Sequence, residues 1–165
     1  MAENTKSPDR SSEVQVVARF RPLNDLERES GSADAFVLDN ENQSVRSRPE
    51  DVEQHHFRFD KVLAPNVEQH QVYSQVEPIV CSVLQGFNAT IFAYGQTGSG
   101  KTYTMEGVVG DEQLRGVIPR MVTTIFSGIE SAATTVEFAL RISMIEVYQE
   151  RIRDLLDQFH TKVCT

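Results

Sequence analysis

Apolar residues recur at spacings of three and four from Val72 through Val76, Ile79, Val80, Val83 and Leu84 to Phe87. That is the period of a helix packing one face inward. Pro78 falls inside this run and predicts a bend or interruption near Glu77, because its ring removes an amide and crowds the preceding turn. Gly86 and Asn88 predict where the helix stops. Ile118, Met121, Val122, Ile125, Phe126 and Ile129 form a second stripe, predicting a helix that Pro119 is well placed to open. Elsewhere the period is two. Val136, Phe138, Leu140, Ile142 and Met144 alternate with Glu137, Arg141 and Ser143, which predicts one long strand with a wet face. Residues 14–21 read as an opening strand, closed by Pro22, which has no amide to give a ladder. Short pieces at 35–38 and 44–47 predict a small surface β-lobe, and residues 56–60 another strand.

The apolar, β-prone run 89–94 feeds Gly95-Gln96-Thr97-Gly98-Ser99-Gly100-Lys101-Thr102. The spacing G-x-x-x-x-G-K-[S/T] is that of a phosphate-binding loop, and each position answers a physical need. Glycines let the backbone curl so that successive N–H groups face phosphate oxygens. Lys101 reaches the outer phosphates, and the Thr102 hydroxyl can sit on Mg²⁺. A helix starting at Lys101 adds its positive end to the same anion. Strand, loop and helix occur in the order that nucleotide binding requires.

The wider run from Phe92 to Gly107, FAYGQTGSGKTYTMEG, resembles kinesin motor domains. Three more stretches agree. Residues 17–22, VARFRP, look like the family's first strand and its R-x-R-P adenine site. Residues 116–120, GVIPR, are similar to the segment that resumes the helix after the loop. Residues 145–156, IEVYQERIRDLL, match the family's E-[I/V]-Y-x-E-x-I-x-D-L-L block. These blocks span residues 14–157 in family order. The family's later switch motifs, N-x-x-S-S-R-S-H and D-x-A-G-x-E, occur nowhere in the 165 residues.

The resemblance therefore implies the N-terminal half of a kinesin head of the N-terminal-motor kind. Its fold would be α/β, a partial P-loop NTPase with a three-layer arrangement and a central mixed sheet flanked by helices. The C-terminal strands and helices would be missing. Residues 1–13 would be a disordered leader, and 158–165 a tail outside the family pattern. The implied ligands are ATP and Mg²⁺. Phosphates would lie on residues 95–102, the metal on Thr102, and the adenine against Arg19, Arg21, Pro22 and Tyr103. Tyr73 is divided between the rim of that pocket and core packing. No catalytic residue is assigned, because the family's water-positioning groups lie in the switches. The implied function is the ATP-binding portion of a motor that couples ATP hydrolysis to movement along microtubules. The alternative is a truncated nucleotide-binding or interfering module with no motor activity of its own. Microtubules are the partner of the intact motor, homodimerisation belongs to the full-length protein, and the location would be cytoplasmic and cytoskeletal.

A net charge of −8 argues against nucleic acid and anionic membranes as partners. It also opposes the acidic microtubule, and the resemblance places the main track-binding surface beyond the switches, so this chain alone should bind track weakly. No stretch reaches membrane-spanning length, and residues 1–13 lack the apolar core of a signal peptide. Cys81 and Cys164 make no disulfide framework, and Cys81, on an apolar helical face, should be a buried thiol.

Asp39, ending Phe36-Val37-Leu38-Asp39, imitates a metal-holding strand end but precedes the loop, so it reads as a turn residue; Asp157 is read likewise. His55 and His56 beside Glu53 adjoin a strand whose neighbours face opposite sides, which disfavours a shared metal. Glu150 and Arg153 are spaced for an i,i+3 surface pair, and residues 107–116 read as an exposed insertion. Without their family neighbours the strands would leave uncovered edges, predicting a marginal, aggregation-prone chain.

Overall fold

In a computed structural model, residues 14–48, 53–133, 135–157 and 163–164 are described. The leader 1–13 lies outside them, as does the tail apart from Val163 and Cys164. The chain divides into two compact units, one reaching to Gly128 and one running from Ile129.

The first unit runs through β1 (Val17–Arg19), α1 (Asp25–Glu29), β2 (Phe36–Asp39), β3 (Ser44–Ser47), β4 (His56–Arg58), β5 (Lys61–Leu63), α2 (Gln69–Leu84), α3 (Lys101–Met105) and all but the last two residues of α4 (Val117–Glu130). β1 is shorter than the expected 14–21, because a ladder forms only where β5 lies opposite. The two run parallel, with Val17 against Lys61, Ala18 against Val62 and Arg19 against Leu63. Neither β5 nor α1 was expected. The β-lobe is present as β2-β3-β4, antiparallel throughout. Its β2–β3 turn is closed by Asp39, whose carboxylate accepts from the Glu41 and Asn42 amides (3.1 and 3.0 Å) and from Asn42 Nδ2 (2.9 Å). Those bonds, the Asn42 side chain's first, hold the Asp39 carboxyl below its ordinary value. Asp39 is thus the last residue of β2, paired with Ser44; its side chain closes the turn that follows, but the residue does not lie in the turn itself.

α2 passes through Pro78 without interruption, so of the expected bend or interruption the interruption does not occur. Pro78 lies on the exposed face, so the Ser74 carbonyl that loses its partner can turn to water. Gln69, Val72, Tyr73 and Val80 are buried along the inner face. The C-terminal part of the stripe is not: Val83, Leu84 and Phe87 stay exposed, and so does Cys81, which is no buried thiol. Gly86, at φ +95°, ends the helix. In α4, Val117 is buried and Met121 and Ile125 pack on the core, whereas Ile118, Val122 and Phe126 remain exposed. Only part of the expected stripe therefore finds cover. Leu84 of α2 sits so close to Gly128 of α4 that a Cβ there would overlap it.

The core consists of Leu63, Val72, Tyr73, Val80 and Val117, with Val17, Val67, Val76, Ile91, Met105, Met121 and Ile125 around it. It fastens β5, α2, α3 and the start of α4 together, each fully buried side chain contributing roughly 1.5–3 kcal/mol. Residues 89–94 were expected to be a strand. They run without a ladder partner among the described residues, Ile91 on the core but Phe92 and Tyr94 74% and 94% exposed.

The second unit is an antiparallel sheet of β6 (Ile145–Tyr148), β7 (Arg151–Asp154) and β8 (Val163–Cys164). β6 and β7 join through Gln149 and Glu150, both at positive φ (48° and 62°), the tight hairpin geometry that matches strand twist. The expected Glu150–Arg153 helical pair does not form. Glu150 is in the turn, and Arg153 faces Glu146 across the ladder, Nη1 to Oε2 3.8 Å. The predicted strand 136–144 is likewise absent: it forms no ladder among the described residues, its backbone bonds being Val136 N to Ala133 O (3.0 Å) and Leu155 N to Met144 O (2.8 Å), and its alternating apolar side chains are exposed. Mixed sheets and helices thus make an α/β protein in which several strand-like segments lack neighbours.

Candidate functional site

Ile91 ties the segment before the glycine loop to the core, and the loop then leads into α3. Two positions explain why glycine is needed. Gly98 has φ +80°, and Gly100, the N-cap of α3, has φ +95°, values that side chains rarely adopt. At Gly95 a Cβ would come 2.7 Å from Ser99 Oγ. Between Gln96 and Tyr103, only the Ser99 amide donates to an acceptor among the described residues, Gln96 O at 3.2 Å. The other N–H groups form a row of donors without a protein acceptor. Lys101 Nζ folds back and donates to Gly95 O (2.8 Å) and Gln96 O (2.9 Å). Thr102 is exposed in the first turn of α3.

Beside the loop lies a cavity of about 800 Å³, walled by Arg19, Arg21, Pro22, Tyr103, Lys101 and the Gln113–Leu114 stretch, among others. Arg19 Nη1 donates to Gln69 Oε1 and Thr104 Oγ1, both at 2.9 Å, and its guanidinium carbon stands 5.3 Å from the Tyr103 ring centre. That is cation–π distance. Burial lowers the Arg19 pKa, partly opposed by Tyr103. Arg21 is clasped by Glu27, Nη2 to Oε1 2.5 Å, and also donates to Pro22 O at 3.0 Å. Glu27 belongs to a capping box: the Asn24 side chain accepts from the Glu27 amide, and Glu27 accepts from the Asn24 amide, each 2.8 Å. The Arg21 bond, then the Asn24 bond, depress the Glu27 carboxyl, and Arg21 is raised in return. A second cavity of about 430 Å³ opens over Gln96, Thr97, Gly98 and Ser99, with Arg19, Arg21 and Glu27 on its other side.

Most of the proposed site residues are therefore neighbours, although Gly95 and Thr102 do not line either cavity. Tyr73 does not join them. It is 7% exposed in the core, its hydroxyl 2.6 Å from Thr124 Oγ1, and burial raises its pKa. Of its two expected roles, core packing is the one it fills. His55 pairs with Glu53, Nε2 to Oε2 3.4 Å, while His56 stands in register with Arg46 on β3. Gln69 and Thr104, which hold Arg19, and Glu27, which holds Arg21, were not singled out from the sequence. The Asn24-x-x-Glu27 spacing was a readable cap signal, and Gln69 was a polar residue on the apolar face of α2.

The loop carries the groups a triphosphate with its metal would need: successive amides without protein acceptors, an ammonium at their end and a hydroxyl on the first turn of the following helix. Glycine loop, helix and sheet elements define a P-loop nucleotide-binding fold. The kinesin motor domain family matches residues 19–164, and the chain belongs to it. It is 48% identical to kinesin heavy chain of Drosophila melanogaster over 145 residues, covering 87% of this chain and 15% of that protein. Kinesin-related protein 3 of Dictyostelium discoideum is 44% identical over 150 residues, covering 88% and 12%. A solved structure of a fast kinesin, studied for its ATPase mechanism and its interactions with microtubules, superposes with a TM-score of 0.84 at 41% identity. It covers 91% of this chain, and this chain covers 42% of it. The chain thus spans about 15% of the curated heavy chain and less than half of the solved motor.

Proposed function

We propose that this chain is the ATP-binding portion of a microtubule-based motor. The row of amides without protein acceptors between Gln96 and Tyr103, set beside the cavity of Arg19, Pro22 and Tyr103, is the observation that carries this reading. Phosphates take the amides and Lys101; the adenine lies against Tyr103 and Pro22, with Arg19 and Arg21 at its edges. Mg²⁺, held by Thr102 and the phosphates, supplies charge neutralisation at the outer phosphate oxygens.

Binding and turnover separate in this chain. Phosphoryl transfer to water rests on positioning and charge stabilisation around the attacking water. The switch motifs that would provide them are not among these residues. The chain holds nucleotide and turns it over poorly by itself. With a net charge of −8 it also binds the acidic track poorly by itself. Track binding, dimerisation and a cytoplasmic, microtubule-associated location are properties of the intact motor.

Titration with a fluorescent MgATP analogue tests the reading. The chain should saturate, and Lys101→Ala should weaken binding at least ~100-fold, about 2.8 kcal/mol at 1.4 kcal/mol per decade. No saturable uptake by the wild type, or equal binding by the variant, would overturn it. Appreciable microtubule-stimulated ATPase from these 165 residues alone would contradict the separation of binding from turnover.

A further inference from the structure

Gln69, the first residue of α2, is 2% exposed, yet it carries an amide onto a face otherwise occupied by Val72, Tyr73 and Val80. Burying an amide is tolerated only when its bonds are made. They are made to three separate parts of the chain. Oε1 accepts from Arg19 Nη1 on β1 at 2.9 Å, while Nε2 donates to Tyr103 O on α3 at 2.7 Å and to Leu114 O at 3.2 Å. Both donors and one acceptor lone pair are in use, so the side chain has a single workable orientation.

Those three partners are all walls of the larger cavity. Arg19 has no carboxylate partner among the described residues. Its charge is held only by the neutral oxygens of Gln69 and Thr104 and by the Tyr103 ring. The opposite wall, at Gln113 and Leu114, is fixed from two sides. Gln69 holds the Leu114 carbonyl, and Arg120 donates to the carbonyls of Glu112 (3.3 Å), Gln113 (3.0 Å) and Arg115 (3.0 Å). None of these three bonds of Gln69 ends on residues 95–102.

We infer that Gln69 is a positioning residue for the base: it sets the Arg19 guanidinium against the Tyr103 ring, fixes the cavity wall at Leu114, and leaves the phosphate loop untouched. The inference rests on the nucleotide reading above and adds to it a division of labour. Affinity for the base runs through Gln69, and affinity for the phosphates runs through residues 95–102.

Calorimetric titration of the full chain with MgATP and with magnesium tripolyphosphate, which has phosphates and no base, separates the two. Gln69→Met keeps the volume and removes all three bonds. It should weaken MgATP roughly tenfold, the worth of hydrogen bonds to a charged group, and leave tripolyphosphate unchanged. Equal weakening of both ligands would make Gln69 merely structural, and no weakening of either would leave it without a role; each overturns the inference. Should Gln69→Met fail to fold, Thr104→Val decides, since it removes the other acceptor of Arg19 while keeping shape. A selective loss of MgATP supports the inference, and no selectivity overturns it. A wild type that takes tripolyphosphate as well as MgATP refutes base positioning alone, whereas one that takes neither refutes the nucleotide reading itself.

Discussion

The β1–β5 pair and the stretch 136–144 show opposite outcomes for segments that both read as strand. β1 is three residues long, and β5 three more, yet they form a parallel ladder over a core that includes Leu63. Residues 136–144 have the cleaner alternation of the two, yet they carry no ladder among the described residues. Phe138 is 43% exposed and Ile142 80%. A strand is a relation between two backbones, and side-chain period describes only one of them. The face that alternation prepares becomes a core only when another surface arrives to cover it.

The contrast has measurable consequences, the largest in the first unit. Gly107, at φ +75°, bridges to Arg115, and a Cβ there would overlap the Leu114 carbonyl oxygen. Gly107→Ala should cost about 3 kcal/mol through strain and overlap, read as a shift in urea midpoint. An unshifted midpoint would mean that the 107–116 loop is not closed as described. Val80→Ala, at a side chain 2% exposed, should cost about 2 kcal/mol, since two buried methyl groups are lost.

A smaller effect follows pH. The folded Glu27 carboxyl is held low by Arg21, so its contribution is fully present above the unfolded value of about 4.3 and disappears as pH falls through the depressed folded value. Arg21 is raised and stays charged throughout that window. Stability of the wild type should therefore fall between pH 5 and lower values more steeply than that of Glu27→Gln, and identical pH profiles would show the clasp to be inert. The smallest effect belongs to the second unit. Ile142→Thr should change stability by less than about 0.5 kcal/mol, because the side chain is already in water. A loss above 1 kcal/mol would show that 136–144 is packed after all.

The glycine loop was legible because its chemistry is local: three glycines, a lysine and a threonine within eight positions need no distant partner to be recognised. The β-lobe and both long helices were legible from period alone. What failed required knowledge of neighbours. Pro78 was tolerated because of the face on which it lies; Cys81, Val83 and Phe126 were exposed because nothing in the first unit reaches them. β5 was hidden by its brevity, directly after β4. Arg19 was found, but Gln69, which holds it, is fifty positions away and announces itself only by being polar among valines.

Lys101 closes on the carbonyls of Gly95 and Gln96, so its ammonium is not an idle charge. An incoming ion must outbid two backbone oxygens before it gains the lysine. In the proposed phosphate-binding role, a polyphosphate that engages the amide row as well as the lysine would compete for that ammonium better than a small anion, which would make the loop selective for long, multiply charged ligands.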